Sequence, residues 1–154
     1  MASLAEQYKT DREMPIAIQL ILAGKVSRAL LDMEYNKIGL SFPYSRILTT
    51  LADHGPKTAT ELCMLTMRER ASMSVLLAKM KKIGYVQDAP SLLDARTQII
   101  SLTDLGREAA EKCQQLTRQT GEVIERFVAQ RTDDPEKIRA IISEFLNRFQ
   151  TLQI

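Results

Sequence analysis

The chain predicts a mainly α fold with one small β-hairpin, and three observations carry that expectation. Apolar residues recur at three- and four-residue steps along most of the 154 residues. The clearest β-prone runs, residues 85–88 and 97–102, lie mid-chain, joined by a link that holds Asp94 and Arg96. Trp is absent and aromatics make up 5%, so the interior has to come from Leu, Ile, Val, Met and Ala, a palette that suits helices.

Residues 1–13 are mixed and polar without a period, and read as an arm. Beyond Pro15, Ile18, Ile21, Leu22, Val26, Ala29, Leu30 and Met33 mark an amphipathic helix over residues 14–37. Pro15 is tolerated in its first turn, and Gly39 stops it. A helix that long in so small a domain predicts a second partner for its apolar face. Pro43 opens a shorter helix, with Ser41 as its cap, Ile47, Leu48 and Leu51 inward, and His54-Gly55-Pro56 at its end. Lys57 falls in an extended link suited to a minor strand. Thr58-Ala59-Thr60-Glu61 fits a capping box, in which hydroxyl and carboxylate each satisfy a free amide, and opens a short helix carrying Leu62 and Leu65. Thr66-Met67-Arg68-Glu69 offers a second box. The helix after it should reach Ile83, with Met73, Leu76, Leu77 and Met80 inward and Gly84 as its stop.

After the hairpin, Thr103 caps a helix expected to bend at Gly121 and continue to about residue 130. Asp133-Asp134-Pro135-Glu136 then starts the last helix, with acids near its positive end and Pro in the first turn. Its stripe, Ile138, Ile141, Ile142, Phe145, Leu146, Phe149 and Leu152, is more than a small lobe needs to cover its own core. With the long first helix, it predicts a helical dimerisation layer. The expected organisation is an arm and dimerisation helix over residues 1–39, a helix-turn-helix lobe with a hairpin wing over 40–106, and dimerisation helices over 107–154.

Charge follows the same division. The net charge is +2, and residues 1–54 carry 6 basic and 6 acidic side chains, residues 108–154 carry 7 and 8, and residues 55–107 carry 8 and 5. The basic excess therefore sits on the hairpin lobe, and a dimer presents it twice. Helix, turn, helix, hairpin is the order of a winged helix-turn-helix, which lays one helix in the major groove. The N-terminal half of that helix offers Arg70, Ser72 and Ser74 opposite Met73, Leu76 and Leu77; small hydroxyls permit close approach, and Arg can take guanine in two hydrogen bonds. Lys79, Lys81 and Lys82 lie where phosphates are the expected targets, and Lys57 precedes the lobe's first short helix. Asp94 and Arg96 are two apart on the hairpin and project to one side, so the carboxylate is expected to orient the guanidinium towards a narrow minor groove. From spacing alone an ordinary surface ion pair is the default reading.

Other classes find less support. No paired-carboxylate cleft, nucleophile triad or phosphate-cradling glycine loop is visible, so an enzyme is not expected. Cys63 and Cys113 have no metal-ligand spacing and one His cannot complete a zinc site; neither metal nor cofactor is expected. No signal-peptide layout is present, and the apolar run at residues 16–24 is too short to span a bilayer. A cytoplasmic protein with reduced thiols and no membrane partner is the expectation.

The segment Ser91 to Gly106, SLLDARTQIISLTDLG, strongly resembles the wing of the MarR family of bacterial transcription regulators. There an Asp-x-Arg pair, here Asp94 and Arg96, is followed by a short strand and Leu-Thr-x-x-Gly, here Leu102 to Gly106; Gly84-Tyr85-Val86 is similar to the family's exit from the recognition helix. The resemblance implies a homodimer that binds a pseudo-palindromic operator in double-stranded DNA, as a repressor released by a small molecule such as an aromatic carboxylate. It places Ser72, Ser74 and Val75 where the family's recognition helix meets bases. It places Tyr35, Tyr44, Arg46 and His54 on helices that line the family's effector cleft, and it raises redox sensing at Cys63 or Cys113, as in some relatives. Two departures stand out: Met67 and Arg68 occupy the turn where the family has Gly and an apolar residue, and Gln87-Asp88 lacks the basic residues common on that strand. They keep a rival open, a winged helix turned protein-interaction module.

Overall fold

The computed structural model describes residues 14–91, 94 and 96–149; the arm at 1–13 and Leu152 lie outside them. Its order is α1 (Ile16–Asn36), α2 (Phe42–His54), β1 (Lys57–Thr58), α3 (Ala59–Thr66), α4 (Arg70–Ile83), β2 (Val86–Pro90), β3 (Gln98–Leu102), α5 (Asp104–Ala129) and α6 (Pro135–Phe149). The strands form one antiparallel sheet in the order β1-β3-β2. Mainly helical, with a small hairpin wing, it is a winged helix-turn-helix.

The described chain divides into two compact units, one running to Leu116 and one from Thr117. In the first, one core joins every element of the lobe. Ile47, Leu48 and Leu51 of α2, Leu62 of α3, and Met73, Leu77 and Met80 of α4 meet Val86, Ile100 and Leu102 of the hairpin and Ala109, Ala110 and Cys113 of α5. Met73, Leu77 and Met80 are spaced four and three apart, so one stripe of α4 is buried while the opposite face stays open. On the short α3, Leu62 is fully buried while Leu65, three residues on, is 38% exposed.

Local chemistry sets most of the boundaries. Thr58 and Glu61 form the expected capping box: the Thr58 N–H donates to Glu61 Oε2 at 2.7 Å, and the Glu61 N–H to Thr58 Oγ1 at 3.2 Å. These hydrogen bonds from Thr58 N–H and hydroxyl, with Lys57 nearby, hold the Glu61 carboxyl below the usual carboxylate range. Thr103 Oγ1 likewise accepts the Gly106 N–H at 3.0 Å at the start of α5. Gly84 ends α4 at φ 90°, in the left-handed region that glycine adopts without a Cβ penalty. At Gly106 the constraint is space, since a Cβ there would lie 1.9 Å from the Tyr85 carbonyl oxygen.

Two expectations fail for stated reasons. Ser41 occupies the cap position of α2, but its side chain makes no capping bond; Asp32, from the last third of α1, accepts the Phe42 N–H at 2.8 Å instead. The second capping box does not form. Thr66 still belongs to α3 and its hydroxyl donates back to the Leu62 carbonyl, so Glu69 becomes the cap position of α4 without a side-chain bond. Between the two helices Met67 turns left-handed, at φ 51° and ψ 49°, while the Arg68 N–H closes back on the Cys63 carbonyl at 3.0 Å. That is the geometry in which glycine is favoured. Beyond Gly121, α5 continues as helix to Ala129, close to the end expected near residue 130.

Apolar positions on the outer helices stay exposed. Ile16, Ile21, Val26 and Met33 of α1 are open, as are Val123 and Phe127 of α5 and Ile138, Ile141, Ile142, Phe145 and Leu146 of α6. Within the second unit, Arg139 bridges Glu125 of α5 and Glu136 of its own helix at 3.3 Å each, and Arg131 lies over the Phe127 ring at 3.7 Å. Among the described residues, no helix is long and apolar enough to cross a membrane.

Candidate nucleic-acid interface

The open face of α4 carries Arg70, Ser72, Ser74, Val75 and Lys79, all exposed. They are there because Met73, Leu77 and Met80 claim the other side of the helix. Three of the polar groups are already engaged. Arg68 Nη1 donates to Ser72 Oγ at 2.9 Å, Arg70 Nη2 reaches Thr60 Oγ1 of α3 at 3.4 Å, and Ser74 Oγ donates back to the Arg70 carbonyl at 3.1 Å. Thr60 and Arg68 therefore belong to this surface although the sequence did not nominate them. Arg68 stands four residues before Ser72, a spacing that brings side chains together along a helical start, and was the available signal.

The wing lies against α4 rather than apart from it. A cleft of about 470 Å³ between them is lined by Thr60, Arg70, Ser74, Lys81, Asp88 and Arg96, among others. Arg70, Ser74 and Arg96, chosen from two separate segments, are thus brought to one place. The role expected of Asp94 needs correction. Its Oδ1 accepts the Arg96 N–H at 3.0 Å and its Oδ2 accepts the Thr97 hydroxyl at 3.0 Å. The carboxylate folds the wing backbone as an Asx turn, in which a short side chain bonds main chain two residues on, and it does not grip the guanidinium. Arg96 remains exposed, placed by its backbone.

Two lysines differ from expectation as well. The Lys57 ammonium sits on the carbonyls of His54 at 2.6 Å and Pro56 at 3.3 Å, where a cation complements the negative end of α2. Lys81 pairs with Asp88 of β2 at 2.5 Å instead of standing free for phosphate.

The residues expected to line an effector cleft lie on α1 and α2. Tyr35 is a core residue, 2% exposed; Tyr44 is half-buried against that core, and Arg46 and His54 are exposed on α2. Two further cavities of about 340 Å³ each are lined by none of these four: one by Ile38, Leu40, Tyr85, Leu105, Glu108, Ala109 and Lys112, the other by residues around Arg107 and Gln114. Cys113 is fully buried, and that burial pushes its thiol up to about 11. A sensing thiol needs the opposite shift and access to solvent, so the redox reading is withdrawn for Cys113. Cys63 is half-buried beside the core and forms no disulfide. Among the described residues, no group of three or more His, Cys, Asp or Glu could hold a metal ion.

Known proteins share this arrangement. A model of the MarR family matches residues 38–97, the span from the end of α1 through the wing turn. The HTH-type transcriptional repressor IacR of Pseudomonas putida is 29% identical over 83 residues, which make up 54% of this chain and 50% of that protein. The match thus spans half the length of this curated relative. A MarR family transcriptional regulator from Silicibacter pomeroyi superposes with a TM-score of 0.74 at 25% identity, covering 85% of this chain and 92% of its own. MepR of S. aureus, solved as a complex with DNA, superposes with a TM-score of 0.77 at 15% identity, covering 88% and 99%.

Proposed function

From its likeness to the MarR family of winged helix-turn-helix proteins, we propose that the chain is a member of that family and a homodimeric, DNA-binding transcription regulator, acting as a repressor in the cytoplasm and without enzymatic activity. The observation that carries this reading is the joint surface of α4 and wing. Arg70, Ser72, Ser74, Val75 and Lys79 stand open on one face of α4, and Arg96 lines the same cleft as Arg70 and Ser74. A helix of this kind fits the major groove, where Ser hydroxyls meet base edges or phosphates and Val75 meets a thymine methyl. Arg96, held out by the Asp94 turn, suits the adjoining minor groove. Asp94 acts on it through the backbone, and Lys57 serves α2 rather than DNA.

Dimerisation supplies the second half-site. The open apolar stripes of α1 and of α6 each offer apolar surface for a second copy, and two-fold symmetry would set the recognition helices about 34–36 Å apart, one turn of DNA. A small-molecule effector releases the operator by favouring a dimer with a different spacing, since a ligand shifts an equilibrium only through unequal affinity for its two states. Arg46 and His54 are the exposed members of the set proposed for effector contact; Tyr35 serves the core.

Fluorescence anisotropy on duplexes tiling the DNA upstream of the protein's own gene, at low and moderate salt, tests the proposal. The expected result is tight, sequence-selective binding that weakens steeply with salt, and Arg96→Ala should lose about tenfold on the best duplex. Salt-insensitive or absent binding by a folded dimer would overturn it and favour a protein-interaction module.

A further inference from the structure

The ion pair between Lys81 and Asp88 joins the last turn of the recognition helix to the middle of the wing's first strand. The strand register sets the face of the hairpin on which Asp88 stands. Val86 pairs with Leu102 and Asp88 with Ile100, so Asp88 shares a face of the hairpin with the buried Val86, Ile100 and Leu102. A carboxylate on that face meets α4, and Lys81 is there at 2.5 Å, with both side chains about one third exposed (38% for Lys81 and 33% for Asp88). Both also line the cleft shared by Arg70, Ser74 and Arg96. One ammonium in the last turn of the helix is therefore already matched by a negative charge of the protein itself.

Resting on the regulator reading above, we propose that Asp88 is a positioning residue that withholds Lys81 from the DNA backbone and thereby limits binding to non-operator DNA. Phosphate contacts raise affinity for every sequence alike, whereas contacts to base edges discriminate. Neutralising one lysine inside the protein removes a sequence-blind contribution and leaves the face formed by Ser72, Ser74 and Val75 untouched. Specificity rises because the wrong partner is bound less well.

The test is anisotropy on operator and scrambled duplexes across a salt series, with wild type, Asp88→Asn, Lys81→Gln and the double variant. Asp88→Asn should bind scrambled DNA about five- to tenfold more tightly at 0.1 M salt, and its log–log salt slope should steepen by about 0.9, one added phosphate contact. Lys81→Gln alone should leave the wild-type slope unchanged, and in the double variant the gain should vanish. An unchanged slope in Asp88→Asn overturns the inference. So does a double variant that keeps the gain, which would assign the effect to carboxylate repulsion alone. A Lys81→Gln slope shallower by about 0.9 also overturns it, whether or not the Asp88 variants fold, because Lys81 would already be on phosphate. If wild type binds no duplex, the regulator reading fails as well; if wild type binds normally and these variants behave otherwise than stated, only the inference about Asp88 falls.

Discussion

The lobe and the outer helices treat the same residue types in opposite ways. In the lobe, Ile47, Leu48 and Leu62 are 0% exposed, each covered by side chains from other elements of the same chain. On the outer helices, Ile16 is 74%, Met33 63% and Ile141 59% exposed, although their spacing is as regular. Periodicity tells which face of a helix is apolar; it does not tell what covers that face. The lobe completes its own interior. The outer helices present stripes that a second copy would cover, at a gain of roughly 25 cal/mol for each Å² removed from water.

Perturbing each region separately sharpens the contrast. The largest expected effect is in the lobe. Leu62→Ala should lower unfolding free energy by about 3 kcal/mol in denaturant titrations, through lost burial and the cavity left behind. That loss should be the same at every protein concentration, and a loss that scales with concentration would break the contrast. On α6, Ile141→Glu combined with Phe145→Glu should weaken self-association by about 100-fold, or about 2.7 kcal/mol, as read by sedimentation. The lobe should keep its near-ultraviolet signal; a variant that still self-associates like wild type would remove the outer helices from the interface.

Smaller effects report on local chemistry. Thr58→Ala removes a capping acceptor and should cost about 1 kcal/mol. Its partner adds a pH dependence with a definite sign. The Glu61 carboxyl is held below its ordinary value of 4.5 in the folded protein, so its contribution is complete above that value and is lost as pH falls through the lower, folded value. The stability gap between wild type and Glu61→Gln should therefore narrow on acidification below about pH 4.5, and a gap that widens there would contradict the hydrogen-bond assignment. The smallest change expected is a gain. Met67→Gly removes a left-handed methionine that is 69% exposed, and should raise stability by about 0.5–1 kcal/mol after the added chain entropy of glycine is counted. Thermal unfolding that moves downward would show that the Met67 side chain has a contact worth more than its backbone strain.

These cases also mark what the residues disclosed beforehand. Bonds between near neighbours were legible: the Thr58–Glu61 box, the Thr103 cap and the Gly84 stop all follow from what stands within three or four positions. The order of helices and hairpin followed from the same local signals. Competition was harder to read. Thr66 had a cap sequence ahead of it and a free carbonyl behind it, and the helix already formed won its hydroxyl. Asp94 had a guanidinium and two closer donors within reach, and took the closer donors. Partners brought together by tertiary packing left no trace in spacing. Asp32 capping α2 from ten residues away, Lys81 meeting Asp88, and Tyr35 turning into the core instead of a cleft are all of this kind.

Gly106 has a consequence for how such a protein can change over generations. Every amino acid that a mutated glycine codon can encode carries a Cβ, and there that atom would meet the Tyr85 carbonyl at 1.9 Å. The junction between wing and α5 is closed to substitution unless the backbone around Tyr85 shifts with it. The exposed side chains of Ser72, Ser74 and Val75 face no such wall. On the function proposed above, mutation there would change which DNA sequence is preferred, one codon at a time, while the frame that presents the surface stays as it is.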